Sequence, residues 1–235
     1  MNRFDANKVK DEIVQWIRDW FDKNGKDSPA VIGISGGKDS SVVAALCVEA
    51  LGNKRVHGVM MPNGIQPDID MSRLLIASLQ IPYYLIDIEQ PVKDILYKLD
   101  PKARENPVVM TNLPPRIRMS CLYAYSQSIN GRVANTCNLS ENYLGWSTRW
   151  GDETGDFAPI ANLTCTEVKE LGRALKLPDA LVNKVPSDGL CGKTDEEKFG
   201  FSYDVLDEYI RTGIIGVWKS SLASALAVVN TTVPV

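Results

Sequence analysis

Residues Gly33-Ile34-Ser35-Gly36-Gly37-Lys38-Asp39-Ser40 gather three glycines, two hydroxyls, an ammonium and a carboxylate. They follow the apolar run Ala30-Val31-Ile32 and precede a helical pattern at Val42, Val43, Leu46 and Ala50, so they read as a strand, a turn and a helix start. In such a turn, backbone N–H groups and the positive end of the helix dipole converge on an anion, and Gly36 and Gly37 leave room for its close approach. The order is not that of a G-x-x-x-x-G-K-[ST] phosphate loop. That loop would need glycine where Ile32 stands and a hydroxyl where Asp39 stands. A carboxylate there points to a metal-bridged pyrophosphate. The plainer alternative is a Gly-rich turn of any doubly wound domain, with Asp39 as an acid favoured in the first helical turn; the complete S-G-G-x-D-S between strand and helix weighs against it. At a loop mouth, Asp39 is expected to contribute little to the core.

The elements around this loop alternate. Val9, Ile13, Trp16, Ile17 and Trp20 fall at helical spacing and lead into the Asn24-Gly25 turn. Strands follow at 30–34, 55–61 and 83–88, with helices at about 38–51 and 69–80 between them, so the expected fold class is α/β: a doubly wound, Rossmann-like parallel sheet with flanking helices. Residues 91–99 read as helix, 100–115 with four prolines as a loop or lid, 116–129 as helix, 132–136 as a fourth strand and 141–146 as a short helix. With strands ordered 3-2-1-4, the winding reverses between strands one and four, and ligands bind at such a switch point. Residues just after Ile34 and just after Ala134 should therefore meet. Beyond residue 151 the pattern becomes helices at 167–177 and 178–185, then a Gly/Asp/Ser/Lys-rich stretch at 186–198, read as a mobile cover over the site.

Composition sets bounds. The chain has 235 residues, 44% hydrophobic and 23% charged, enough for one α/β domain, 1–235, with a tail at 214–235 of uncertain structure. A net charge of −3 argues against nucleic acid as the main ligand. Five cysteines without a C-x-x-C, and the lone His57, argue against a zinc site and against a disulfide framework. Cys47 and Cys121 lie in helical patterns and are expected to pack in the core. No signal core is seen at the N-terminus, and the apolar stretch 222–229 is far below the roughly 18 residues that span a bilayer. A cytoplasmic protein with no membrane partner is the expectation.

Further stretches fall in order behind the loop: Arg116-Ile117-Arg118-Met119, Asn135-Thr136-Cys137-Asn138-Leu139-Ser140-Glu141, Gly145-Trp146-Ser147-Thr148-Arg149-Trp150-Gly151-Asp152, Pro186-Ser187-Asp188-Gly189-Leu190, Asp195-Glu196 and Gly200-Phe201-Ser202-Tyr203. The loop itself resembles the pyrophosphatase loop of ATP-dependent adenylating enzymes, and the whole set resembles NAD synthetase of the ammonia-dependent type, from about residue 14 to about 213. The resemblance implies ATP-dependent amidation of deamido-NAD (nicotinic acid adenine dinucleotide). The nicotinate carboxylate attacks the α-phosphorus of ATP, pyrophosphate leaves, and ammonia displaces AMP to give NAD. It implies that Gly33, Ile34, Ser35, Gly36, Gly37, Lys38, Asp39 and Ser40 hold the pyrophosphate, that Thr136 and Ser187 touch ATP, and that Asp39 and Glu141 ligate Mg²⁺, a hard cation suited to oxygen ligands. It also implies that Arg116, Arg149 and Asp156 meet the dinucleotide, guanidinium groups being suited to its phosphates and carboxylate. Homodimers are the family's state, and exposed aromatics of the first helix are expected to help build the interface.

The chain departs from the pattern in places. Cys165 stands where many relatives carry a lysine on ATP, leaving Lys184 and Lys193 as replacements, and Cys137 replaces a common acid. The terminal His-Lys pair of relatives is missing from 213–235. The 32 residues before Gly33 cannot hold a glutamine-hydrolysing domain, so free ammonia, or ammonia from a separate protein, is the expected donor. Two rivals stay open: another adenylating synthetase with the same loop, GMP synthetase-like or tRNA-modifying, and a module that binds ATP without chemistry.

Overall fold

Four short apolar segments pair in parallel as a sheet in the order β3-β2-β1-β4, formed by β1 (Ala30–Gly33), β2 (Val56–Met60), β3 (Tyr83–Leu85) and β4 (Arg132–Val133). The computed structural model describes residues 4–184, 196–197 and 200–214. Ala30, Val31 and Ile32 are fully buried, as expected of a central strand covered on both faces. One face is covered by α1 (Ala6–Asn24), α2 (Lys38–Leu51) and α8 (Cys165–Ala174), whose apolar sides meet around Ile17, Phe21, Ile32, Leu46 and Leu171. The opposite face packs Val31, Val59 and Val133 on Leu122 of α6 (Pro107–Ser128). The doubly wound architecture and the 3-2-1-4 order are those read from the sequence.

Helix α1 is held at its start by Asp5, whose side chain accepts from the Asn7 and Lys8 amides, and stops at Gly25. Its tryptophans divide: Trp20 stacks on Phe157 at 4.9 Å, while Trp16 is half-exposed. Between β2 and β4 run α3 (Ile69–Leu79), α4 (Glu89–Lys98) and α5 (Pro101–Arg104).

The proline-rich stretch 100–115 corrects the sequence reading, since it is α5 and the first turns of α6 rather than a loop. Pro101 and Pro107 each open a helix behind a side-chain cap: Asp100 accepts from the Ala103 amide at 3.0 Å, and Asn106 from the Val108 amide at 2.9 Å. Asp-Pro and Asn-Pro are thus N-cap and first-turn pairs, where a missing N–H costs nothing. Pro114 and Pro115 lie inside α6, buried or half-buried against the chain that follows; a Cβ on Gly151 would stand 3.0 Å from Pro115 Cβ. Two further corrections are smaller. The fourth strand is shorter than 132–136, because beyond Val133 the chain pairs with Phe157 and the Asp156 carboxylate takes the Val133 amide at 2.7 Å. Cys121 is half-buried on a groove lined by Tyr84, Ala124 and Tyr125, since it sits one position off the face that buries Leu122; Cys47 is in the core.

After β4 come α7 (Leu139–Leu144), α8, α9 (Asp179–Val182) and α10 (Tyr203–Thr212). The expected cover at 186–198 falls outside the described residues apart from Glu196 and Glu197, as does the tail beyond Ile214. No helix among the described residues is long and apolar enough to cross a membrane.

Candidate active site

At the carboxyl end of β1 the chain turns through Ser35-Gly36-Gly37 into α2. Gly36 has φ +76°, and a Cβ there would lie 2.8 Å from Met71 Cβ and 2.9 Å from the Ser72 nitrogen, so only glycine fits. The loop is braced by its own hydroxyls: Ser35 Oγ accepts the Gly37 amide at 3.2 Å and meets Ser40 Oγ at 3.1 Å, and Ser41 Oγ donates to the Gly37 carbonyl at 2.7 Å. No side chain caps α2, which leaves the amides of its first turn to an anion.

Across the switch point between β1 and β4, α7 begins with a reciprocal capping box. Asn138 Oδ1 accepts the Glu141 amide at 3.0 Å while Glu141 Oε2 accepts the Asn138 amide at 3.1 Å. The same Asn138 donates from Nδ2 to Asp39 Oδ1 at 3.0 Å. One fully buried asparagine therefore spans the two carboxylates, and the segments after Ile34 and Ala134 meet as their place in the sheet requires. Glu141 is half-buried; burial, and then the neighbouring Asp39 charge, push its carboxyl up to about 8. Asn138 thus holds two acids together although the charge of one raises the proton affinity of the other. No cluster of three or more His, Cys, Asp and Glu side chains occurs among the described residues. A two-carboxylate site fits Mg²⁺, which keeps waters and shares phosphate oxygens rather than filling a protein cage.

Asp39 is not the free loop-mouth acid expected from sequence. Its Oδ2 lies 2.8 Å from Lys38 Nζ, and the Lys38 side chain is only 3% exposed, its ammonium 5.8 Å from the centre of the Tyr203 ring. Removing Asp39 would leave a buried charge without its partner, a change that typically costs about 3–5 kcal/mol. Cys165 is fully buried beside Leu144, Phe201, Tyr203 and Leu206, and burial pushes its thiol up to about 12, so it stays neutral. Of the two lysines read as replacements for a charge at that position, Lys184 is paired with Asp68 and Lys193 lies outside the described residues.

A buried acid on α10 locks the frame. Asp207 of α10 accepts from Ser140 Oγ of α7 at 2.5 Å and from the Thr166 amide of α8 at 2.7 Å, and Ser140 Oγ in turn accepts the Cys165 amide at 2.9 Å. Asp207→Ala is expected to cost about 2–3 kcal/mol by stranding these donors. The check is a urea midpoint that falls with an unchanged slope.

The other residues implied by resemblance have contacts of their own. Arg116 Nε donates to the Arg149 carbonyl at 3.1 Å, and the Arg149 guanidinium lies 5.4 Å from the Trp150 ring centre, so the two exposed cationic residues are adjacent. Asp156 is engaged by the Val133 amide and by Tyr123 Oη at 3.1 Å. Thr136 is half-buried beside the Asn135 turn, and Ser187 lies outside the described residues.

The order of these motifs has a counterpart among known proteins: residues 9–227 match the NAD synthase family model. The chain belongs to the NAD synthase family. It is 37% identical over 230 residues to an NH(3)-dependent NAD(+) synthetase of Pyrococcus furiosus, covering 97% of this chain and 87% of that protein. Among solved structures, it superposes on an NMN synthetase from Francisella tularensis with a TM-score of 0.87 at 31% identity, covering 97% and 94% of the two chains. It superposes on an NH3-dependent NAD synthetase from Campylobacter jejuni with a TM-score of 0.78 at 28% identity, covering 98% and 95%.

In this NAD synthase family member, three residues that brace the frame of the candidate site were not legible as such in the sequence. Asn138 carried a signal, the N-x-x-E of a capping box, but its reach to Asp39 is a tertiary fact. Arg118 Nε anchors to the Met61 carbonyl at 2.9 Å beyond the end of β2, and Asp207 is distant in sequence from everything it holds.

Proposed function

We propose that the chain catalyses the ATP-dependent amidation of deamido-NAD by ammonia to NAD, AMP and pyrophosphate through an adenylated intermediate. It is a C–N-bond-forming ligase. The observation that carries this reading is the Asp39–Asn138–Glu141 bridge beside the uncapped, serine-braced loop, a pyrophosphate seat joined to a cation seat at the sheet's switch point. The names of its relatives support the same chemistry.

The loop amides and the α2 terminus orient the β- and γ-phosphates and stabilise the charge that gathers on leaving pyrophosphate. Asp39 and Glu141 would hold Mg²⁺, which supplies charge neutralisation on the phosphates. Thr136 and Ser187 are assigned to ATP. The adjacent Arg116 and Arg149 clamp the acid substrate and present its carboxylate to the α-phosphorus; Asp156 shapes that side by fixing Tyr123 and Val133. Arg116→Ala is expected to raise the KM for the acid substrate about tenfold while the KM for ATP stays within about twofold. Steady-state kinetics in both substrates check it, and equal effects on the two would make Arg116 a structural residue.

The reading includes a cytoplasmic homodimer acting on small molecules, without nucleic-acid or membrane partners. Sedimentation at working concentration tests the dimer, for which the half-exposed Trp16 and the exposed Tyr83, Tyr84 and Leu85 of the β3 edge are the apolar candidates.

A second reading has its own observation. The TM-score is higher, 0.87 against 0.78, for the Francisella NMN synthetase than for the Campylobacter NAD synthetase. The same site could amidate the acid mononucleotide instead. Comparing kcat/KM for the two nicotinate substrates decides between them.

A further inference from the structure

Lys38 occupies an unusual place for a lysine. It stands first in α2, and its stem is buried with Tyr203 of α10 over the ammonium. The groups that face Nζ are Asp39 at 2.8 Å, the Tyr203 ring at 5.8 Å, and Glu141 and Cys165 within electrostatic reach. A buried ion pair is seldom the best packing solution, because an apolar side chain of similar volume would fill the space without desolvating a charge. Here the ammonium is paired with the very oxygen set that seats the cation. Cys165, which stands in place of the lysine that the resemblance leads one to expect, holds a neutral thiol next to it.

We propose that the Lys38 ammonium is a catalytic charge of this site: it serves Asp39 as an internal counter-ion, yields that carboxylate to the divalent cation, and donates to the pyrophosphate oxygens that gain charge as the Pα–O bond breaks. The proposal rests on the adenylation reading above and names the residue that replaces the missing charge at position 165. Its step balances without a further reactant. The substrate carboxylate oxygen bonds to Pα, the bond from Pα to the β-phosphate bridging oxygen breaks, and that electron pair leaves on pyrophosphate, while Lys38 keeps its proton and contributes hydrogen bonds alone. The four-carbon stem with three donors suits such an exchange of partners, whereas a rigid guanidinium would not make it.

The counter-ion role predicts opposite effects of one substitution on two quantities. Lys38→Met should bind Mn²⁺ roughly tenfold more tightly in the absence of nucleotide, because the competing ammonium is gone. The same variant should lose about 100-fold in kcat for ATP–pyrophosphate exchange, with the KM for ATP within about threefold, the signature of a donor that acts on developing charge. Damage to the fold would weaken both. Mn²⁺ affinity is read from free-ion electron paramagnetic resonance and exchange from labelled pyrophosphate, with Lys38→Gln carrying the same two measurements if the methionine variant does not fold. Unchanged or weaker Mn²⁺ binding, or exchange within threefold of the parent, overturns the proposal. Absence of exchange in the parent protein would instead overturn the adenylation reading, so the two failures are distinct.

Discussion

Asp39→Asn is expected to lower ATP–pyrophosphate exchange by about 10³-fold or more, because it removes one of two carboxylates that seat the cation and several kcal/mol of charge stabilisation with it. The variant should also be less stable, since the amide leaves the buried Lys38 ammonium without a counter-charge and sets one donor against another. These two effects can be separated. Combining Asp39→Asn with Lys38→Met removes the stranded charge and should restore most of the lost thermal stability while exchange stays silent. An Asp39→Asn protein that exchanges within tenfold of the parent would take Asp39 out of the chemistry.

Glu141→Gln is expected to lower exchange by about 10²–10³-fold with the fold intact. Glutamine can keep the back-bond to the Asn138 amide that closes the capping box, so α7 should start where it does now. The pH dependence of stability provides an independent sign. Burial and Asp39 raise the Glu141 carboxyl from its ordinary value to about 8 in the folded chain. The native state therefore holds this proton more tightly than the unfolded state does, and stability from this group, complete below about pH 4.5, is lost as pH rises through about 8. Denaturant titrations with chelator present should show that decline in the parent and its absence in Glu141→Gln, which should be at least as stable at pH 8. A steeper decline in the variant would contradict the assignment of the raised carboxyl to Glu141.

The sheet order was legible because strand and helix alternate along the first half of the chain, and parallel strands leave few right-handed windings. From that order came the meeting of Asp39 with the segment of Glu141, although the two are far apart in sequence. What sequence could not show was which side chain spans them: Asn138 reads as a cap, and only the folded chain turns its free amide toward Asp39. The burial of Lys38 was equally hidden. In a Gly/Ser loop next to an acid nothing in the sequence marks it as buried, and its burial depends on Tyr203 and Cys165 arriving from much later in the chain. Four prolines in 100–115 suggest a loop because proline is destabilising within helices, yet two of them follow capping residues and open α5 and α6. Asp207 had no pattern to betray it, since a buried acid inside an amphipathic helix is recognisable only by the donors that converge on it.

The central claim is amide formation on a nicotinate nucleotide at the expense of ATP. The direct test is to incubate the purified chain with ATP, Mg²⁺ and ammonium, offer deamido-NAD and the acid mononucleotide in separate reactions, and follow amide product and pyrophosphate together. NAD and pyrophosphate in equal amounts from deamido-NAD and ammonium is the predicted result. ATP binding without either product from either acid would contradict the account and leave a nucleotide-binding module.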